Sequence, residues 1–297
     1  MDVERIRKNE ESELDKNIKV LMYHRVLWEK PKDDTKWHYV TATEFENHMK
    51  WLERFGYTAI TFSDYELYKQ DELSLPKKPI IITFDDGYQD TFENAIPIML
   101  KYNMRAVIFV MGNRSLKHAK WDQKDGENPC MLMTDDQIRM ADSLGFEIGA
   151  HSMNHIDLIK AGSEEIEREI IWSKYQIEQI LGDRILSFAY PYGSVNKNTQ
   201  QVVFKSGFKY ACGVFTGPAR FGKNRFDIRR IAINEKTTGL QYLLRILTPF
   251  EYAEWSYAKL KGITHSQEIN QEHLPVSNDN SKEIPEAVNR NSKIVLN

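Results

Sequence analysis

The sequence lacks the features that mark several classes of protein. Its only cysteines, Cys130 and Cys212, are far apart and in no metal-binding spacing, so neither a disulfide framework nor a cysteine metal site is predicted. No run of about 18 apolar residues occurs, which predicts no integral membrane segment. The net charge of -3 over 297 residues gives no electrostatic reason to expect a nucleic-acid partner. Nothing in the sequence specifies an oligomeric state.

The two ends of the chain differ in composition from its middle. Residues 1–17 are mostly charged and predict a polar arm without the apolar stretch of a secretory signal. A cytoplasmic location is therefore the default expectation, and an extracellular or periplasmic one is expected if a leader has been removed. Residues 261–297 are polar and turn-rich, which predicts a disordered tail. One domain is expected between them, at about residues 18–260.

Within that domain, β-rich runs alternate with helical patterns. Strands are predicted at 18–23, 58–62, 79–84, 105–112, 146–150, 185–190, 209–215 and 227–233. Helix starts are predicted at three capping boxes, which pair Thr43 with Glu46, Ser63 with Glu66, and Thr134 with Gln137. The alternation predicts an α/β fold, a single distorted (β/α) barrel of about seven strands with outer helices.

Three polar motifs follow predicted strands. Asp85 and Asp86 follow "IIITF", "HSMNH" (151–155) follows "FEIGA", and "PYG" (191–193) follows "ILSFAY". Because the reacting groups of parallel α/β folds collect at the carboxyl ends of strands, the three motifs are expected to meet at one site.

The histidine and aspartate motifs together fit a metal site. His151 and His155 are four residues apart, so both imidazoles can reach one ion, although such pairs also occur by chance. "DDG" alone is also a common strand ending in which Asp caps the next helix. One carboxylate and two imidazoles suit a divalent cation, most readily Zn²⁺, with Co²⁺, Ni²⁺ or Fe²⁺ as alternatives.

The motifs "TFDDG", "HSMNH" and "YPYG", in this order, resemble the polysaccharide deacetylases of carbohydrate esterase family 4, the NodB homology domain. "VLMYHRV" (20–26) and "WLERFGYTAITFSDY" (51–65) are similar to the branch of poly-N-acetylglucosamine deacetylases, whose barrel is permuted. The resemblance covers residues 18–235. It implies a metal-dependent hydrolase that removes N-acetyl groups from an amino sugar in a polysaccharide, oligosaccharide or glycan precursor.

The resemblance also implies roles for these residues. Asp85 matches the general base, and the metal ligands match Asp86, His151 and His155. Tyr192 matches the residue whose backbone N–H holds the oxyanion. Pro191 and Gly193 shape the turn that presents it.

The sequence departs from the family pattern at two places. Ala189 stands where an arginine that orients the base is common, so Arg230 is the first candidate for that role and Arg229 the second, unless both are solvent-facing charges. No histidine follows His155 until His265. The resemblance to the permuted branch therefore implies His24 as the general acid, with a buried core histidine as the alternative.

Four aromatic residues in or near predicted loops are expected either to stack on sugar rings or to anchor the loops: Trp37, Tyr39, Trp121 and Phe215. The long segment 113–133 is a hypothetical flap. Three alternative functions stay open: a deformylase or deacetylase of a lipid-linked or nucleotide-linked amino sugar, a non-catalytic sugar-binding barrel, and a glycoside hydrolase. Adjacent Asp85 and Asp86 fit the last poorly, because its two carboxyls flank the glycosidic bond.

Overall fold

The structure is a computed structural model that describes residues 18–31, 38–122, 130–214, 221, 224–250, 253 and 256. The predicted arm at 1–17 and the predicted tail at 261–297 lie outside the described residues. Trp37 and Phe215 lie outside them as well. No helix in the described part of the chain is long and apolar enough to cross a membrane.

Strands and helices alternate through the described ranges. The strands are β1 (Lys19–Tyr23), β2 (Arg25–Leu27), β3 (Tyr39–Thr41), β4 (Thr58–Ile60), β5 (Pro79–Phe84), β6 (Val107–Val110), β7 (Glu147–Ala150), β8 (Ser187–Ala189), β9 (Tyr210–Cys212) and β10 (Ile231–Ala232). The α-helices are α1 (Ala42–Arg54), α2 (Phe62–Lys69), α3 (Ile96–Lys101), α4 (Asp135–Ser143), α5 (Ser163–Leu181), α6 (Lys197–Lys205) and α7 (Gly239–Leu247). A π-helical turn at Thr91–Ala95 precedes α3.

The main sheet is parallel throughout, in the order β10-β1-β5-β6-β7-β8-β9. β4 pairs with the first half of β5, on the edge that β6 occupies further along. Ile228 forms a parallel bridge to Cys212 in β9, and Ile231 pairs with Leu21 in β1. One short segment therefore contacts both ends of the curled sheet. The predicted distorted barrel of about seven strands is confirmed.

β5 separates two parts of the core. Ile80, Ile82 and Phe84 belong to the larger cluster, which includes residues of the outer helices, whereas Ile81 belongs to a second cluster with residues such as Phe109. Successive side chains of a strand point to opposite faces, so Ile81 and Thr83 face the barrel interior. By the same alternation, Asp85, the residue that follows the strand, is expected to face the barrel interior.

Two predicted capping boxes are wrong by two residues. Helix α1 begins after Thr41, which forms the box with Glu44, and the predicted Thr43 and Glu46 lie inside the helix. Both pairs have the required spacing, but β3 ends at Thr41 through its pairing with Leu27 of β2. The short strands β2 and β3 are not among the predicted elements. No strand end that would favour the Thr41–Glu44 pair is therefore predicted at Thr41.

Helix α2 shows the same displacement. Thr61 and Asp64 form its capping box instead of Ser63 and Glu66. The Ser63 side chain instead donates a hydrogen bond to Glu147. The predicted box of Thr134 with Gln137 at the start of α4 is confirmed.

Candidate active site

The carboxyl ends of β1, β5, β7 and β8 open on a cavity of about 340 Å³. All three motifs reach it, because parallel strands end at one edge of the sheet. The predicted site residues that line it are Asp85, Asp86, His151, His155, His24, Tyr192 and Gly193. Pro191 is buried in the turn that carries Tyr192.

Asp85 continues the interior face of β5 and meets Arg230. The Arg230 guanidinium donates Nη1 to Asp85 Oδ1 at 2.6 Å and Nη2 to Oδ2 at 2.7 Å. Arg230 is fully buried, and its other hydrogen bonds run to the Thr83 hydroxyl and the Gly213 carbonyl. Burial raises the pKa of the Asp85 carboxyl, but the charge and hydrogen bonds of Arg230 outweigh this, and the pKa lies below its usual value. Asp85 is therefore held as a carboxylate.

Arg229 has a different neighbour. Its Nε lies 4.0 Å from Asp227 Oδ2, in a partly exposed pair. The structure thus places Arg230, rather than Arg229, against the carboxylate predicted to be the base.

Asp86 leaves the regular strand alternation. Its φ is +71°, and Gly87 follows at +64°, so the chain turns sharply directly after Asp85. A Cβ on Gly87 would lie 2.8 Å from Val110 Cγ1, which makes glycine necessary there. This turn allows two adjacent carboxylates to face one cavity.

Asp86, His151 and His155 form a buried cluster whose ligand atoms all lie within 4.8 Å of one another. Asp86 Oδ1 is 3.2 Å from Nε2 of His151 and 3.2 Å from Nε2 of His155. His151 Nδ1 lies 2.7 Å from the Ala189 carbonyl oxygen and donates to it, because a carbonyl can only accept. A neutral His151 therefore directs the lone pair of Nε2 at the Asp86 carboxylate.

These residues fit a bound cation. Asp86 Oδ1 is buried and makes no hydrogen bond within the described residues. An imidazole lone pair facing a carboxylate requires positive charge between them, which either an imidazolium proton or a metal ion supplies. Burial raises the pKa of the Asp86 carboxyl, but the neighbouring His151 and His155 hold it well below the usual range. One carboxylate and two imidazoles are also the donor types that Zn²⁺ accepts.

His24 follows β1, the strand beside β5, and faces the same cavity. Its ring centroid is 5.0 Å from that of His38. Burial lowers the pKa of His24, and the carboxylates of Asp86 and Asp85 offset part of this effect. His24 is half-buried and lines the cavity.

Tyr192 lies in a tight turn with φ of +59°. Gly193 N–H donates to the Tyr190 carbonyl at 2.9 Å, and Ser194 N–H donates to the Pro191 carbonyl at 3.2 Å. Tyr192 is 59% exposed as a residue, and its ring centroid lies 4.7 Å from that of His155.

Backbone strain is concentrated in these motifs. The structure contains six described non-glycine residues with positive φ, and four belong to the motifs: Asp86, Ser152, His155 and Tyr192. Such conformations cost on the order of 1 kcal/mol each and are typical of functional sites.

Further residues line the cavity without having been predicted as site residues: His38, Tyr88 and Asp122. The Tyr88 hydroxyl donates to the Asp122 carboxylate. Trp121 stacks on His155 with ring centroids 4.2 Å apart, which places one of the predicted loop aromatics at the site. Tyr88 lies two residues after Asp86, and that proximity could have indicated it as a site residue. No sequence pattern indicates Asp122.

Comparison with known proteins identifies the domain. Residues 72–211 match the family model of the polysaccharide deacetylases. These residues carry a polysaccharide deacetylase domain. The resemblance to this family is therefore confirmed, and it supports a hydrolase that deacetylates carbohydrates.

Relatives support the same assignment over a longer stretch. YxkH of Bacillus subtilis, provisionally named a polysaccharide deacetylase, is 26% identical over 222 residues, which cover 75% of this chain and 73% of the relative. The poly-beta-1,6-N-acetyl-D-glucosamine N-deacetylase of Staphylococcus aureus is 26% identical over 204 residues, 66% of this chain and 68% of the relative. A deacetylase structure from Streptococcus pyogenes has the same fold, with a TM-score of 0.66 at 24% identity, covering 78% of this chain and 98% of that one.

His24 and Arg230 lie outside the residues matched by the family model. The fold nevertheless brings both to the motifs, because β10, β1 and β5 are neighbours in the sheet.

Proposed function

We propose that this protein is a metal-dependent hydrolase that removes the N-acetyl group from an amino sugar in a polysaccharide, oligosaccharide or glycan precursor. The observation that carries the proposal is that two adjacent carboxylates have different partners. Asp86 points at two imidazoles, while Asp85, its neighbour, is held by Arg230. One carboxylate is thus arranged to bind a cation and the other to remain basic beside it.

Asp86, His151 and His155 would hold the ion. A divalent cation supplies Lewis-acid polarisation of the amide carbonyl and of the attacking water. Zn²⁺ is the first choice for this donor set, and Co²⁺, Ni²⁺ and Fe²⁺ are alternatives.

The chain's own groups carry the proton transfers. Asp85, ionised by its contact with Arg230, accepts a proton from the attacking water. The Tyr192 backbone N–H donates to the oxyanion of the tetrahedral intermediate, a contribution typically of about 3–4 kcal/mol. His24 donates a proton to the departing amine, so that acetate and a free amino sugar are released.

The partner of this reaction is an N-acetylated carbohydrate. The relative from Staphylococcus aureus bears the name of a poly-beta-1,6-N-acetyl-D-glucosamine N-deacetylase, which supports a polymer or oligomer of N-acetylglucosamine as the first substrate to test. Trp121, stacked on His155 at the cavity, offers an aromatic surface for a sugar ring.

The decisive experiment measures acetate release. The full chain is stripped with a chelator, reloaded with Zn²⁺, Co²⁺, Ni²⁺ or Fe²⁺, and assayed on β-1,6- and β-1,4-linked N-acetylglucosamine oligomers and on lipid-linked and nucleotide-linked N-acyl amino sugars. We expect acetate release that depends on the metal. Asp86→Ala, His151→Ala and His155→Ala should lose metal and activity together, whereas Asp85→Asn should keep the metal and lose turnover.

Other outcomes identify the alternatives. Formate instead of acetate would indicate a deformylase, and new reducing ends would indicate a glycoside hydrolase. Metal binding without turnover of any N-acylated sugar would indicate a sugar-binding barrel. Normal acetate release by Asp85→Asn would show that Asp85 is not the base.

A further inference from the structure

Glu169 is a buried carboxylate that no motif contains. It lies on α5 and is 3% exposed. Both of its oxygens accept hydrogen bonds from Asn154: the backbone N–H donates to Oε2 at 2.8 Å and Nδ2 donates to Oε1 at 2.6 Å. Asn154 directly precedes His155, so Glu169 holds the backbone next to a proposed metal ligand.

The segment after β6 holds the same loop from the other side. Asn113 N–H donates to the Met153 carbonyl at 3.0 Å, and Asn113 Nδ2 donates to Asn154 Oδ1 at 2.7 Å. A Cβ on Gly112 would lie 2.5 Å from the Cα of Ser173, so α5 packs directly on this segment. Both polar atoms of the Asn154 side-chain amide are therefore hydrogen-bonded, the nitrogen to Glu169 and the oxygen to Asn113.

The loop needs such support because its backbone is strained. Ser152 and His155 have φ of +61° and +56°, a region that costs a non-glycine residue on the order of 1 kcal/mol. The His155 N–H donates to the Ser152 hydroxyl at 3.0 Å within the loop. Strained conformations persist where the surrounding structure fixes them, and Glu169 supplies two of the fixing contacts.

We propose that Glu169 is a positioning residue that holds His155 in place for metal binding, an inference that rests on the metal site of the proposed function. Without both contacts the loop relaxes toward unstrained φ values, and His155 Nε2 leaves its place 3.2 Å from Asp86 Oδ1. Groups that orient a metal ligand without touching the metal typically change metal affinity by about 10- to 100-fold when altered.

The test substitutes Glu169→Gln, which preserves shape but can accept only one of the two hydrogen bonds. The matched control is Glu147→Gln. Glu147 is a half-buried glutamate at the start of β7, the end of that strand away from the His151–His155 loop, and it accepts hydrogen bonds from Ser63 and Ser187. Full-length, chelator-treated protein is titrated with Co²⁺ and followed by its visible absorption, and thermal unfolding of the metal-free proteins is measured in parallel.

We expect both variants to melt at lower temperature and only Glu169→Gln to lose Co²⁺ affinity, by about 10- to 100-fold. Asn154→Ala should also weaken Co²⁺ binding, and its loss should not add to that of Glu169→Gln in the double variant. Wild-type affinity in Glu169→Gln, or fully additive losses, would overturn the positioning role alone. A wild-type chain that does not bind Co²⁺ would overturn the metal site and the positioning role together.

Discussion

Arg230 and Asp85 form a buried two-point ion pair although 145 residues separate them along the chain, with Nη1–Oδ1 at 2.6 Å and Nη2–Oδ2 at 2.7 Å. The pair links the residue before β10 to the residue after β5, and between these strands lies β1, which leads to His24. Its consequence is electrostatic. Arg230 keeps the pKa of the Asp85 carboxyl below its usual value in spite of burial, which by itself would raise it.

The first prediction concerns this pair. Arg230→Lys keeps a positive charge but loses the planar two-point contact, so the pKa of Asp85 should rise. Because the base must be ionised, the acidic limb of kcat/KM for acetate release should move to higher pH, and kcat should fall by about 100-fold through misplacement of the carboxylate. A pH–rate profile of the metal-loaded enzyme measures both effects.

Arg229→Lys is the matched control, because Arg229 lies near Asp227 instead of Asp85. Its pH–rate profile should coincide with that of the wild type. An acidic limb that stays unshifted in Arg230→Lys would show that Arg230 does not set the ionisation of Asp85.

The second prediction separates the role of His24 from that of the proposed metal ligands. His24→Ala should retain wild-type metal content and slow the release of acetate from an N-acetyl amino sugar by about 100-fold or more, because the amine then leaves without a proton. An activated acetyl ester, such as p-nitrophenyl acetate, has a leaving group that needs no proton. Its hydrolysis should be little affected. Equal losses on both substrates would assign His24 a role other than general acid.

The cluster of Asp86, His151 and His155 illustrates what could be predicted from sequence. The strand before Asp85 is an unbroken apolar run, and the polar motifs follow such strands, so their meeting at one edge follows from parallel topology. The spacing of His151 and His155 then indicates shared ligation. What the sequence could not reveal is that Asp86 adopts a positive φ, which brings its side chain to the cavity beside that of Asp85.

Choices between equivalent neighbours required the structure. Arg229 and Arg230 are chemically alike in the sequence, and only the packing of the segment before β10 turns one toward Asp85. The start of helix α1 was ambiguous for the same reason. The pairs Thr41–Glu44 and Thr43–Glu46 both have the spacing of a capping box, and the end of β3 at Thr41 selects the first.

The third prediction concerns the turn at Tyr192. Gly193 has φ of +65°, and a Cβ there would lie 2.4 Å from Val214 Cβ and 2.7 Å from the Val214 backbone nitrogen. Gly193→Ala should therefore displace the turn, lower the melting temperature and reduce acetate release by about 100-fold. Acetate-release kinetics and thermal unfolding of the metal-loaded protein check this.

Gly182→Ala is the control for backbone strain. Gly182 follows α5 with φ of +73°, but no atom lies within 4 Å of a Cβ built there. It should cost about 1 kcal/mol of folding stability and leave turnover unchanged. If Gly193→Ala lowers the melting temperature and acetate release no more than Gly182→Ala does, contact with Val214 does not maintain the turn.

The fourth prediction concerns the dependence of stability on pH. Burial raises the pKa of Asp227 to about 6, and the nearby Arg229 offsets only part of this. Its Oδ1 is buried and makes no hydrogen bond within the described residues. An acid whose pKa rises on folding favours the folded state while it is protonated, so this contribution is lost as pH rises from 3.8 to about 6.

Asp227→Asn removes that ionisation and should therefore stabilise the protein at about pH 8 by about 1–3 kcal/mol, and by less at about pH 4. Thermal unfolding of both proteins at the two pH values measures the difference. Asp136→Asn, at a side chain that is 91% exposed, is the control and should change the melting temperature little at either pH. An Asp227→Asn effect that is the same at both pH values would show that ionisation of the Asp227 carboxyl does not change the free energy of unfolding between them, and would contradict the raised pKa.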